Sequence, residues 1–150
     1  MIRAATTDDL NAIAQIEQEA QSHGWTAQQL AEELNRSGGH MLVATADNQV
    51  VGFAVGWSVA EETHILDVAV CRHKRRDGIG RSLVEALLKT CGNTVAMLEV
   101  REGNTPARTL YESLGFKTVG KRAHYYKDGE AAVLMTLNSA NAEVVLLGER

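Results

Sequence analysis

The chain has 150 residues, 45% of them hydrophobic and 23% charged, with a formal net charge of -4, a composition expected of one soluble globular domain with its own apolar core. Slight acidity argues against a general nucleic-acid binder, which carries a basic face; no apolar run reaches the length of a membrane span, and the opening MIRAATTDDL lacks the basic-then-apolar layout of a secretion signal. Two cysteines, Cys71 and Cys91, make neither a disulfide framework nor a zinc pattern, so a cytoplasmic protein with reduced thiols and no bound metal is expected.

MIRAA reads as a short first strand. Thr6 or Thr7 then caps a helix whose first turn holds Asp8 and Asp9, where the helix dipole favours anions. Leu10, Ile13, Ala14, Ile16 and Ala20 give that helix an apolar stripe at helical spacing. Trp25 follows, and Thr26 caps a second short helix through Leu34. HMLVATA and VVGFAVGWSV, joined by Ala-Asp-Asn-Gln, read as a hairpin. THILDVAVC is a further strand, largely buried through Ile65, Leu66, Val68 and Val70. A basic loop, Gly78-Ile79-Gly80 and a helix through about Lys89 come next, with Leu83, Val84, Leu87 and Leu88 as its apolar face. TVAMLEV is a strand; Thr105-Pro106 opens another helix with Thr105 as N-cap, and Gly115 closes it. FKTVGKR and AAVLMTL are the last two strands. The order predicts a single mixed α/β domain over residues 1–137, with a twisted central sheet of six or seven strands and about four helices. The tail, residues 138–150, carries a small apolar patch from Val144 to Leu147 and has no assigned role.

Five of the 15 Lys and Arg residues fall between Arg72 and Arg81, around Gly78 and Gly80 and just before an apolar helix. Glycines at a helix entry let the backbone approach a ligand closely, the free N–H groups of the first turn then point at it, and the dipole favours an anion there. Arg75, Arg76 and Arg81 would add charge-assisted bonds to phosphate oxygens. A P-loop is excluded because Gly-x4-Gly-Lys-Ser/Thr is absent, and a dinucleotide fold because Leu83 stands where the third glycine is needed. On spacing alone a solvated basic loop remains an equal reading.

The run RRDGIGRSLVEALL resembles the acyl-CoA pyrophosphate loop of the GNAT acetyltransferases, with Arg75, Gly78 and Gly80 filling its Gln/Arg-x-x-Gly-x-Gly/Ala pattern. LEVREGNTPARTLYESLGF, Leu98 to Phe116, is similar to the next signature of that superfamily, and within it to the bacterial ribosomal-protein N-terminal alanine acetyltransferases. The resemblance extends from Met1 to about Leu137. It implies that Val68, Ala69 and Val70 offer backbone groups to the pantetheine arm of acetyl-CoA. It further implies that Arg75, Arg76, Asp77, Gly78, Ile79, Gly80 and Arg81 hold the pyrophosphate, with Asn104 near the thiol end. By the same resemblance Glu99 is the general base and Tyr111 the general acid, and Trp25, Tyr125 and Tyr126 line a peptide groove. The chain departs from the family where Cys71-Arg72 replaces Asp-Pro and Gly24-Trp25 replaces Pro-Trp.

Acetyl transfer from a thioester to an amine needs a neutral amine, a polarised carbonyl and a proton for the departing thiolate. An α-amine with a pKa of about 8 is mostly protonated at neutral pH, so a carboxylate must take its proton. Glu99, on an apolar strand, would have its pKa raised by burial; the competing reading pairs it with Arg101 or another cation. Tyr111 would reach the sulfur, or else packs as an amphipathic tyrosine beside Leu110 and Leu114. A backbone N–H of the Val68–Val70 strand would polarise the carbonyl. Tyr125 and Tyr126 fit groove lining and sheet-edge packing equally. The resemblance implies transfer to a protein N-terminus, the N-terminal alanine of small ribosomal subunit protein eighteen. The alternatives are a lysine side chain or small amine as acceptor, and a non-catalytic acyl-CoA-binding module. Direct contact with nucleic acid is not expected, because no aromatic residues interleave with His73-Lys74-Arg75-Arg76, and no membrane partner is expected.

Overall fold

The structure is a computed structural model, and it describes residues 1–21 and 24–138. Its elements run β1 (Ile2–Ala4), α1 (Leu10–Ala20), α2 (Ala27–Leu34), β2 (Gly39–Ala46), β3 (Gln49–Val59), β4 (Glu62–Val70), α3 (Ile79–Cys91), β5 (Val95–Arg101), α4 (Thr105–Ser113), β6 (Lys117–Arg122) and β7 (Ala132–Asn138). The strands form one seven-stranded sheet in the order β1-β2-β3-β4-β5-β7-β6. This is the expected mixed α/β domain, with four α-helices among the described residues. The tail singled out above lies outside the described residues beyond Asn138. No described helix is long and apolar enough to cross a membrane.

The helix starts follow from side-chain chemistry. Thr6 and Asp9 make a capping box, so a 3-10 turn over Thr7–Asp9 leads into α1. Asp9 also takes both Nη atoms of Arg3, at 2.7 and 2.9 Å, and the Thr6 N–H at 2.8 Å. Those bonds hold its carboxyl down at about 2. Thr26 caps α2 as expected, its hydroxyl accepting from the Gln29 N–H at 3.2 Å. On α4 the expected cap is corrected by one residue: Asn104 is the N-cap, its Oδ1 accepting from the Ala107 N–H at 3.2 Å, and Thr105 is already helical. Asn outranks Thr at this position.

Antiparallel pairing joins β1 to β4 in sequence. Asp47 and Asn48, at φ 53° and 63°, make the two-residue turn that suits a hairpin. A second such turn joins β3 to β4 through Ala60 and Glu61, at φ 51° and 66°. Every residue from Val51 to Gly56 is buried, so both faces of β3, an interior strand, are covered. On one face α3 lies close, with Leu83, Val84 and Leu87 fully buried. Gly52 and Gly56 permit that approach, since a Cβ there would meet Leu83 Cδ1 at 3.1 Å and Leu87 Cδ2 at 3.0 Å.

One feature of the sheet determines where a ligand fits. β4 and β5 pair in parallel only from Glu62↔Val95 to Ile65↔Leu98. Immediately beyond, the β3–β4 register shifts, leaving Leu66 as the extra residue of a bulge. From there β4 continues to Val70 and β5 to Arg101 without pairing to each other, and the strands open a wedge.

Candidate active site

Two cavities fill the wedge. A groove of about 600 Å³ runs between β4, the N-terminus of α3 and α4. A pocket of about 310 Å³ lies between β4, β5 and the end of α1. They share walls at Ala20, Val68, Asn104, Ala107 and Tyr111, so Tyr111 stands at their junction.

The groove gathers Val68, Ala69, Val70, Arg75 and Arg76 with Gly78, Ile79, Gly80 and Arg81. Asp77 is not among its lining residues. The ladder explains what β4 presents. The Cys71 N–H donates to the Val51 carbonyl at 2.8 Å, so by antiparallel alternation Ala69 and Asp67 also face β3. The N–H and C=O groups of Val68 and Val70 therefore point into the wedge, where an extended amide-bearing chain can pair with them. The Val70 carbonyl accepts from Arg75 Nε at 3.0 Å. Gly78 caps α3 at φ 79° without any side-chain cap, and a Cβ placed on it meets nothing within 4 Å. The first-turn N–H groups of α3 are thus open to an anion. Arg76 reaches a left-handed φ of 71° two residues earlier. Arg81 is tied to α4, donating to Ser113 Oγ at 2.8 Å, with Glu85 at 3.6 Å. An unpaired strand edge leading to an uncapped, arginine-flanked helix start fits the pantetheine and pyrophosphate of an acyl-CoA.

The pocket gathers Trp25, Glu99, Asn104, Tyr111 and Tyr126. Tyr111 is 7% exposed and packs edge-on against Phe116, with centroids 5.7 Å apart. Burial above all pushes its phenol above the ordinary range, with Asp67 nearby as the lesser cause. Its hydroxyl makes no hydrogen bond among the described residues, in keeping with a group turned towards the cavities. Glu99 differs from the sequence expectation, since it is not buried. Along β5 the core takes Ala96, Leu98 and Val100, so strand alternation turns Glu99 to the open side. There its carboxylate lies 3.8 Å from Arg122 Nη1 and accepts a hydrogen bond from Tyr125. That bond raises the Tyr125 phenol. Tyr125 does not line the pocket; it is 46% exposed and reaches the site through Glu99. Arg101, expected as a possible partner of Glu99, instead bonds Asp128 and Glu130 at 2.9 Å each. Its guanidinium lies 4.0 Å over the Tyr126 ring, which holds that ring beside the pocket.

Two lining residues went unnoticed in the sequence. Glu17, 1% exposed, and Asp67 meet on the inner wall of the pocket. The signal was present: Glu17 follows Ile13 and Ile16 on the buried stripe of α1, and Asp67 interrupts an apolar strand.

Comparison with known proteins accords with this geometry. The pattern of the Acetyltransferase (GNAT) family matches residues 10–116. The [ribosomal protein bS18]-alanine N-acetyltransferase of Salmonella typhimurium is 37% identical over 91% of this chain and 95% of its own. An N-alpha-acetyltransferase of Saccharolobus solfataricus is 35% identical over 89% of this chain and 90% of its own. The crystal structure of the ribosomal-protein-S18-alanine N-acetyltransferase from Escherichia coli superposes with a TM-score of 0.84 at 33% identity, covering 92% of both chains. With the family pattern spanning most of its length and these relatives aligned nearly end to end, the chain belongs to the GNAT acetyltransferase family and is an N-acetyltransferase.

Proposed function

We propose that the chain acetylates the α-amine of a protein N-terminus using acetyl-CoA, with the N-terminal alanine of small ribosomal subunit protein bS18 as the acceptor. The observation that carries this reading is the position of Tyr111 where the groove and the pocket meet. The groove suits the acyl donor, the pocket suits the amine, and among the described residues the only polar side chains common to both walls are Asn104 and Tyr111. The Salmonella relative, named for an alanine of ribosomal protein bS18, and the Saccharolobus relative, named an N-alpha-acetyltransferase, support the choice of amine.

Acetyl-CoA supplies an activated acyl group on a thioester. Glu99, reached from the pocket side, takes the ammonium proton directly or through water. The amine nitrogen bonds the carbonyl carbon, the carbon–sulfur bond breaks, and the Tyr111 hydroxyl gives its proton to the sulfur. The wedge-facing N–H groups of Val68 and Val70 are placed to polarise the carbonyl. Val70, Arg75, Arg76, Gly78, Ile79, Gly80 and Arg81 hold the donor, with Ala69 and Asp77 as backbone of that segment. Trp25 and Tyr126 wall the acceptor, and Tyr125 orients Glu99.

The test is mass spectrometry after incubation with acetyl-CoA and peptides that differ in their first residue, beside N-blocked peptides containing lysine. The expected product is Nα-acetylation of the Ala-first bS18 peptide. Lysine or free-amine acetylation with the α-amine untouched overturns the acceptor, and cofactor binding without product overturns the enzyme reading.

A further inference from the structure

Glu17 and Asp67 have no part in the mechanism above, yet they form the inner wall of the pocket proposed for the acceptor. Glu17 Oε2 accepts the Trp25 N–H at 3.0 Å and Oε1 accepts Gln21 Nε2 at 3.1 Å. The same Gln21 nitrogen lies 3.4 Å from each oxygen of Asp67, and the two carboxyl groups hydrogen-bond each other. The backbone at Gly24 is pressed on the same group, since a Cβ there would come within 2.7 Å of Glu17 Cδ. One buried carboxylate thus joins α1, the Gly24–Trp25 segment and β4.

We propose that Glu17 and Asp67 are positioning residues that share one proton, and that this acid–carboxylate pair fixes the Gly24–Trp25 wall against which the acceptor's first residues fit. Two carboxyl groups in contact cannot both be ionised cheaply, so one keeps its proton. Glu17 already accepts two N–H bonds, at 3.0 and 3.1 Å. Asp67 faces the Val68 N–H and the long 3.4 Å contacts from Gln21, and the shared proton is placed on it. Burial, and next the bond to Glu17, hold its carboxyl well above the ordinary carboxylate range.

Besides each other, the groups facing the pair are Gln21 from α1, Tyr111 from α4, and Glu99 and Arg101 from β5, with Tyr126 beyond Arg101. Arg101 is occupied by Asp128 and Glu130, so among the described residues that line the pocket no free cation compensates a second negative charge. Loss of the shared proton therefore sets two carboxylates against each other and releases the wall from β4. The pyrophosphate end of the donor groove, around Gly78 and Arg75, lies on the loop and helix start beyond β4, so acetyl-CoA binding should change little.

This inference rests on reading the pocket as the acceptor site, and the experiment separates the two. Carboxyl 13C NMR titration of the intact protein reads the proton directly. The expected result is one aspartate titrating far above the ordinary range, absent in Asp67→Asn; ordinary titration of Asp67 overturns the pair whatever the acceptor proves to be. Steady-state kinetics then test the positioning. Asn keeps the size of Asp and an N–H donor for Glu17, so Asp67→Asn should retain the low peptide KM. As pH rises, the ratio of wild-type to Asp67→Asn peptide KM should grow about tenfold, while acetyl-CoA KM stays within about twofold; titration of the peptide amine cancels in that ratio. Asp67→Ala should raise peptide KM at all pH values. A ratio that stays flat, or equal changes in both KM values, refutes the positioning role even if peptides are acetylated. Acetylation of non-peptide amines alone sinks the acceptor reading, and the NMR result still decides the pair.

Discussion

Tyr111→Phe separates chemistry from architecture. The ring is buried against Phe116 and its hydroxyl makes no hydrogen bond among the described residues, so the substitution removes one oxygen at the junction of the cavities and leaves packing intact. The folding free energy should change by about 0.5 kcal/mol or less, which for a chain of this size is a shift in Tm of no more than about 2 °C. Turnover should behave otherwise. A positioned general acid is worth about 10²–10⁴ in rate, or about 2.7–5.5 kcal/mol of barrier. Released thiol measured with a chromogenic disulfide gives kcat, calorimetry gives the acetyl-CoA Kd, and thermal melting gives stability. Because burial keeps the wild-type phenol protonated, the deficit should persist across neutral and mildly alkaline pH. Wild-type kcat in a variant that melts and binds normally would reassign Tyr111 to packing.

Glu99→Gln should leave acetyl-CoA affinity unchanged and reduce kcat about 10²-fold or more at neutral pH, with the loss smaller in alkaline solution where the amine is already neutral; an unaltered rate at neutral pH removes its role as base. Gly78→Val should weaken acetyl-CoA binding at least tenfold by calorimetry, because φ 79° suits glycine and a branched side chain would stand before the first-turn amides; an unchanged Kd excludes this loop. Asp9→Asn should cost about 2 kcal/mol in urea unfolding at neutral pH, since the carboxyl falls from 3.8 to about 2 on folding. The sign follows from that lowering: the stabilisation is complete above about pH 4 and disappears as pH falls through about 2, so the difference between wild type and variant should vanish in strong acid.

Local chemistry made part of this molecule readable in one dimension. Asp47-Asn48 tolerates the left-handed turn it occupies, Thr26 caps the helix that follows it, and Gly78 and Gly80 mark a helix entry. The β3–β4 turn was hidden because Ala60 and Glu61 have no preference for positive φ; pairing of the long flanking strands imposes it at about 1–2 kcal/mol per residue. The cap of α4 was displaced because Asn104 and Thr105 are both good caps and only the helix register chooses between them. Glu99 was expected inside because its neighbours are apolar, but they occupy alternate positions of one strand. Glu17 and Asp67 are fifty positions apart, and their contact exists only once α1 lies across β4.

The early end of the β4–β5 ladder makes the resting protein thermodynamically incomplete. Past Ile65 and Leu98 the two strands forgo cross-links that a pantetheine-like chain can restore from between them. Saturating acetyl-CoA at a hundred times its Kd should therefore add about 2.7 kcal/mol to the unfolding free energy. Protection from amide exchange should concentrate at Val68 and Val70, so that the donor acts as an eighth, removable strand.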